Sequence, residues 1–275
     1  MNQVVKMNDP RKTDYLYEEA IKTLRTNIQF TGRNIKCILF TSCFPNEGKS
    51  DVTFQLAREI GNIGKKVVLL DADIRRSTFV SRYRVGRAVK GLSHYLCGTM
   101  EIDDICYHTN YENVDIIFSG SFVPNPSELL EEPALGELIH VLRKRYDYIL
   151  IDTPPVTSMA DATIIAKWCD GAIFIIEDGR VSYRVAQKAK KQLMKTNCKI
   201  LGAVLNKVDT KKDRYYGKYG YYYHGYYGTH TVIEENKEDI EDDIEVIEDK
   251  EGIDKLKAHG ETKQKDSTYT DGSQA

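Results

Sequence analysis

Short runs of Val, Ile, Leu and Phe, separated by segments of helical period, set the tightest limit on how this 275-residue chain can fold. They fall at Ile35–Thr41, Lys66–Leu70, Val114–Phe118, Tyr148–Ile151, Ala172–Ile176 and Ile200–Leu205. Strands that are apolar throughout, rather than in alternation, are buried on both faces. Helices fit between them. Asp14 to about Phe30 places Tyr17, Ala20, Ile21, Leu24 and Ile28 on one face. A second helix follows the first strand through about Ile63, and Ser127–Arg145 and Val181–Lys195 supply others. The expected fold class is α/β, a mostly parallel sheet flanked by helices on both faces. Ligands of such sheets bind at the carboxyl ends of the strands.

The chemistry-bearing residues fall at those ends. Cys43-Phe44-Pro45-Asn46-Glu47-Gly48-Lys49-Ser50 closes with G-K-S between a strand and a helix, the place of a P-loop. Backbone N–H groups from Asn46 to Ser50 would face a phosphate at the helix N-terminus, Lys49 would neutralise its β/γ oxygens, and the Ser50 hydroxyl would ligate Mg²⁺. Cys43 and Asn46 stand where glycines are common; Asn is the side-chain-bearing residue that best tolerates positive φ. A second strand ends in Asp71-Ala72-Asp73-Ile74-Arg75, and a third ends in Asp152-Thr153-Pro154-Pro155. A single strand-end Asp is more often a cap or turn former. Three strand ends that bring Lys49, Ser50, Asp71, Asp73 and Asp152 together suit Mg²⁺, with one carboxylate left to accept a proton. The expected fold is therefore that of a P-loop NTPase.

Past Asp209 the composition changes. Tyr215, Tyr216, Tyr219, Tyr221, Tyr222, Tyr223, Tyr226 and Tyr227 alternate with Gly217, Gly220, Gly225 and Gly228, with no apolar period of 2 or 3.6. An array of phenol hydroxyls beside a phosphate site reads as donor and acceptor of one reaction; nucleic-acid stacking and self-association are the bland alternatives. From Glu234 to Glu251 eleven carboxylates face Lys237 and Lys250, a charge of about −9, while Met1–Thr210 carries about +4. The acidic run reads as a solvated, disordered segment. The expected organisation is a flexible N-terminus (1–13), a P-loop domain (14–209), a tyrosine-rich segment (210–230) and an acidic disordered tail (231–275). No stretch approaches the roughly 18 apolar residues of a membrane span, and no signal-peptide pattern opens the chain. The six cysteines lack metal-finger spacing and read as reduced thiols in the cytoplasm.

From about Asp14 to Tyr227 the chain resembles the bacterial protein-tyrosine kinases of capsule and exopolysaccharide synthesis, relatives of the P-loop ATPases that partition chromosomes and place division sites. The three strand-end motifs carry the resemblance. So do Glu19-Ala20-Ile21-Lys22-Thr23-Leu24-Arg25, Gly91-Leu92-Ser93, Ser119-Gly120, Pro124–Leu130 and the tyrosine cluster. It implies ATP and Mg²⁺ as cofactors. It also implies Asp71 as the proton acceptor, Asp73 and Asp152 in the metal shell with Ser50, and Asn206 at the base. The eight tyrosines become phosphoacceptors, modified between subunits of a ring. Glu19, Lys22 and Arg25 match the family's subunit-joining helix, with Lys22 replacing an arginine and losing its planar fork. Expected partners are further copies of the chain, the cytoplasmic end of a membrane-spanning polysaccharide co-polymerase that recruits it to the membrane's inner face, and a tyrosine phosphatase. Nucleic acid is not expected. The alternatives are a partition- or division-type ATPase switch and a non-catalytic nucleotide-binding adaptor.

Overall fold

The computed structural model describes residues 3–11, 14–32, 34–86 and 89–209. The tyrosine-rich segment and the acidic tail lie outside the described residues. In chain order the elements are β1 (Gln3–Val5), α1 (Tyr15–Phe30), β2 (Cys37–Ser42), α2 (Lys49–Asn62), β3 (Val67–Asp71) and α3 (Phe79–Arg82). Then come α4 (Leu92–Leu96), α5 (Ile102–Ile105), β4 (Cys106–Thr109), β5 (Val114–Ile117), α6 (Pro126–Glu131) and α7 (Pro133–Arg145). The body closes with β6 (Tyr148–Asp152), α8 (Asp161–Ala166), β7 (Gly171–Glu177), α9 (Tyr183–Met194) and β8 (Lys199–Asn206).

The strands form one sheet in the order β1-β4-β5-β3-β6-β2-β7-β8, and every pairing is parallel except β4 with β5. Each central strand sends alternate residues to opposite faces. Leu39, Leu70, Ile149 and Ile151 pack with Leu138 and Leu142 of α7, Ile165 of α8 and Leu193 of α9. Ile38, Phe40, Leu69 and Leu150 pack with Ile21 and Ile28 of α1 and with Phe54 and Ile60 of α2. Both faces are therefore covered, and a Leu39→Ala cavity between layers would cost about 2–5 kcal/mol. The register sets Asp71 beside Asp152 at the carboxyl ends of β3 and β6.

The predicted helix over 127–145 is two helices. Glu132, which precedes Pro133, adopts φ −60° and ψ 145°, because the proline ring excludes the helical conformation from the residue before it. The N-terminal segment also differs from expectation: residues 3–11 are not a free arm. β1 pairs with β4, Val5 and Met7 are buried, and the Met7 amide donates to Asn110 Oδ1 at 2.7 Å. Asp9 then accepts from Gln55 Nε2 and Arg58 Nη1, both at 2.7 Å, and Arg11 pairs with Asp51 one position past Ser50. A strand of three residues, of which only Val5 is buried, has too few positions to show a period, which hid it from sequence.

Candidate active site

The turn from β2 into α2 supplies the loop. Asn46 sits at φ 67° and Gly48 at φ 91°, so the left-handed region is used twice, once by the residue type that tolerates it and once by glycine. A Cβ on Gly48 would lie 2.1 Å from Asn206 Nδ2, so the loop closes tightly on the end of β8. Asn206 Nδ2 donates to the Glu47 carbonyl at 2.8 Å, and Lys207 Nζ donates to the Asn46 carbonyl at 2.6 Å. Lys207, whose ammonium also meets Glu177 at 3.1 Å, escaped the sequence reading because nothing in sequence links positions so far apart.

Glu47 contributes to the loop in a way its position in the motif did not disclose. Its fully buried carboxylate turns back and accepts the Cys43 and Phe44 amides, both at 3.1 Å. Burial raises its pKa, and those two amides work in the opposite direction. Glu47 thus staples the loop with its side chain and leaves its backbone to the nest. Cys43, in the first position of the loop, is a packed thiol whose pKa burial and the neighbouring Glu47 push up to about 11.

Lys49, Ser50, Asp73 and Asp152 are brought together as the strand ends suggested. Lys49 Nζ lies 3.6 Å from both Asp73 Oδ2 and Asp152 Oδ2, and Ser50 Oγ donates to Asp152 Oδ2 at 2.5 Å. Burial works against the Lys49 charge, but Asp152, Asp73 and Asp71 outweigh it and raise its pKa. Asp71 and Asp152 are both buried. Burial first, and then the Asp152 charge, push Asp71 up to about 7, although Ser77 Oγ donates a short bond to Asp71 Oδ2 and opposes the shift. The Ser119 and Asp73 amides add contacts at 3.3 Å. Asp152 is raised as well, by burial, against the pull of Lys49 and Ser50. Its Oδ1 is buried with no hydrogen-bond partner.

Three carboxylates around one lysine leave an excess of buried negative charge, and Asp152 Oδ1 is an orphaned acceptor beside a helix N-terminus. Both observations fit a divalent cation and an anion held together here. Among the described residues, no group of three or more His, Cys, Asp or Glu could hold a metal unaided. Hard Mg²⁺, which keeps waters and takes phosphate oxygens, needs no such cage. Arg75 serves a different purpose from the carboxylates before it. Its guanidinium grips the buried Asp161 at 2.6 and 3.1 Å and donates to Ser127 Oγ at 2.7 Å, tying α6 and α8 to the β3 exit.

The remaining predicted residues are elsewhere. On α1, Lys22 Nζ meets Glu19 Oε1 at 2.7 Å, both side chains being half-exposed. Arg25 Nη1 turns inward to Glu59 of α2 at 3.4 Å. The eight predicted phosphoacceptors, Tyr215 to Tyr227, lie outside the described residues.

The AAA domain family model matches residues 46–207. The tyrosine-protein kinase CpsD of Streptococcus agalactiae is 37% identical over 217 residues, covering 78% of this chain and 93% of that protein. Among solved structures, the kinase domain of Escherichia coli tyrosine kinase ETK superposes with a TM-score of 0.67 at 30% identity, over 70% of this chain and 75% of that one. The septum site-determining protein MinD of Pyrococcus horikoshii OT3, solved with Mg-ADP, gives a TM-score of 0.57 at 26% identity, over 65% and 72%. With the P-loop, its strand-end carboxylates and these relatives in agreement over most of its length, the chain belongs to the bacterial protein-tyrosine kinase family of P-loop ATPases.

Proposed function

We propose that this chain transfers the terminal phosphoryl group of Mg²⁺-ATP to the tyrosines of its own 215–227 segment, between subunits, and so regulates capsular or exopolysaccharide synthesis and export. The observation that carries the reading is the convergence of Lys49, Ser50 and the orphaned Asp152 Oδ1 at the start of α2. The Mg-ADP in the similar MinD structure supports a magnesium nucleotide in particular. Phe44 occupies the place where partition- and division-type ATPases usually carry an additional lysine, and the tyrosine array gives the phosphoryl group an acceptor.

When bound, Mg²⁺-ATP supplies the phosphoryl group and part of the charge neutralisation. The backbone from Asn46 to Ser50 cradles phosphate oxygens, and Lys49 neutralises them. The Ser50 hydroxyl and the Asp152 and Asp73 carboxylates would hold the metal, directly or through water. Asp71 accepts the phenol proton, since a group near pKa 7 is matched to proton transfer at neutral pH. Asn206, which donates to the Glu47 carbonyl on the rim of the loop, is the proposed contact for the base. α1, with Glu19, Lys22 and Arg25, is the proposed subunit contact, and a membrane-spanning co-polymerase and a tyrosine phosphatase are the proposed partners.

Chains with Lys49→Met and intact tyrosines, mixed with chains whose eight tyrosines are Phe, test the transfer. Phosphotyrosine on the Lys49→Met chain is expected. Label restricted to unmixed wild type would place transfer within one subunit, and no label in wild type with Mg²⁺-ATP and a peptide of the co-polymerase's cytoplasmic end would overturn the kinase reading.

A further inference from the structure

The outer face of α9 carries a cation at each turn. Arg184, Lys188, Lys191 and Lys195 recur at i, i+4, i+7 and i+11, and so form one stripe about 16 Å long at 1.5 Å per residue. All four are exposed, as are Lys190 on the same helix and Lys199 at the start of β8. α9 contains no carboxylate, and among the described residues none of these six cations makes an ion pair. The opposite side of the helix is committed to the fold through buried Ala189 and Leu193. A second observation lies beside the stripe. Tyr183 and Met194, also eleven residues apart and hence on one side of the helix, are 78% and 59% exposed.

We propose that this face of α9 is a direct docking surface for an anionic lipid bilayer, with the basic stripe over the headgroups and Tyr183 and Met194 as shallow apolar contacts at its two ends. Clusters of four to eight Lys or Arg on an amphipathic helix attract anionic membranes, and an amphipathic phenol suits the headgroup level. An acidic peptide or a nucleic acid would use the charge but leave the two exposed apolar side chains without a role. With its apolar face already packed on the sheet, α9 lies on the surface and does not enter the hydrocarbon. The proposal stands apart from the phosphoryl-transfer reading, because no residue of the P-loop or its carboxylates takes part.

Sedimentation of the full chain with vesicles tests it, using phosphatidylglycerol mixed into phosphatidylcholine against phosphatidylcholine alone, at low and high salt. Binding is expected only to the anionic vesicles and is expected to weaken with salt. Each cation at the surface contributes about fivefold to partitioning, so Lys188→Gln/Lys191→Gln should lose roughly 25-fold, and neutralising all four on the order of 10²–10³-fold. Tyr183→Ser/Met194→Ser should weaken binding without altering its salt dependence. Lys65→Gln/Lys66→Gln, an equal charge change on another exposed turn, should leave it unchanged, and circular dichroism melts confirm that each variant is folded. Equal binding by the α9 and control variants overturns the proposal, as does absence of binding to anionic vesicles at low salt. So does a stripe that binds a synthetic 234–251 peptide or a DNA duplex but no vesicle.

Discussion

The two ends of the same sheet treat carboxylates in opposite ways. At the amino end, Asp170 precedes β7 and accepts the Lys36 and Cys37 amides at 2.9 and 2.8 Å, while Arg143 of α7 forks onto both its oxygens at 2.8 Å. Burial alone would raise its pKa, but Arg143 and the two amides outweigh burial and lower it. At the carboxyl end, Asp71 and Asp152 are buried more deeply, share one lysine with Asp73, and are both raised. At the amino end Asp170 is matched by Arg143 and two amides and ties the strand starts together. Among the described residues, the charge of the three carboxylates at the carboxyl end exceeds that of Lys49, as suits a site built for what binds there.

Lys49→Met removes the ammonium that lies 3.6 Å from both Asp73 and Asp152 and should abolish tyrosine phosphorylation, by at least about 10²–10³-fold in an initial-rate assay. Asp71→Asn should lower kcat by about 10²–10⁴-fold while leaving nucleotide affinity nearly intact, measured by calorimetric titration. Arg143→Ala should leave both unchanged but destabilise the fold by about 1–2 kcal/mol, read as a lower midpoint in urea. If Arg143→Ala reduced activity as strongly as Asp71→Asn, the division of labour between the ends would be wrong.

The pH dependence of stability should also separate them. In the unfolded chain Asp71 releases its proton near pH 3.9, and in the folded chain near 7. Between those values the native state holds a proton that the unfolded state has lost, so its stability falls as pH climbs from about 4 to about 7. Asp152 adds to the same slope. Asp170 acts in reverse: its contribution is present above the ordinary carboxylate range and is lost as pH falls through its lowered pKa. Nucleotide-free Asp71→Asn should therefore melt with a shallower decline between pH 5 and 7 than wild type, and Arg143→Ala with an unaltered one. The smallest expected effect is at Asn206→Ala, which frees the Glu47 carbonyl and should weaken nucleotide binding only a few-fold, by about 0.5–1.5 kcal/mol.

Much of this was legible in sequence because the central strands are apolar on both faces and end in chemistry. β2, β3, β6, β7 and β8 lie within a few residues of their expected bounds, and the G-K-S turn and three carboxylates meet where the strand ends placed them. Asn46 adopts the positive φ that its residue type permits. What escaped depends on contacts between distant parts of the chain. β4, Cys106-Tyr107-His108-Thr109, is a short antiparallel strand of mixed polarity, which resembles a loop until β5 and β1 close on it. The Glu47 staple, the Ser77 hydroxyl on Asp71 and the Arg75–Asp161 clamp are side-chain choices made by the assembled fold. In the sequence each is an ordinary polar residue near a motif.

On the proposed function, the charge gathered at the carboxyl end of the sheet serves phosphoryl transfer to tyrosine. The full chain and Lys49→Met are each incubated with Mg²⁺-ATP and a peptide of the co-polymerase's cytoplasmic end, and phosphate is mapped by mass spectrometry. The account predicts phosphotyrosine within Tyr215–Tyr227 in wild type and none in Lys49→Met. Equal labelling of the two proteins would contradict it.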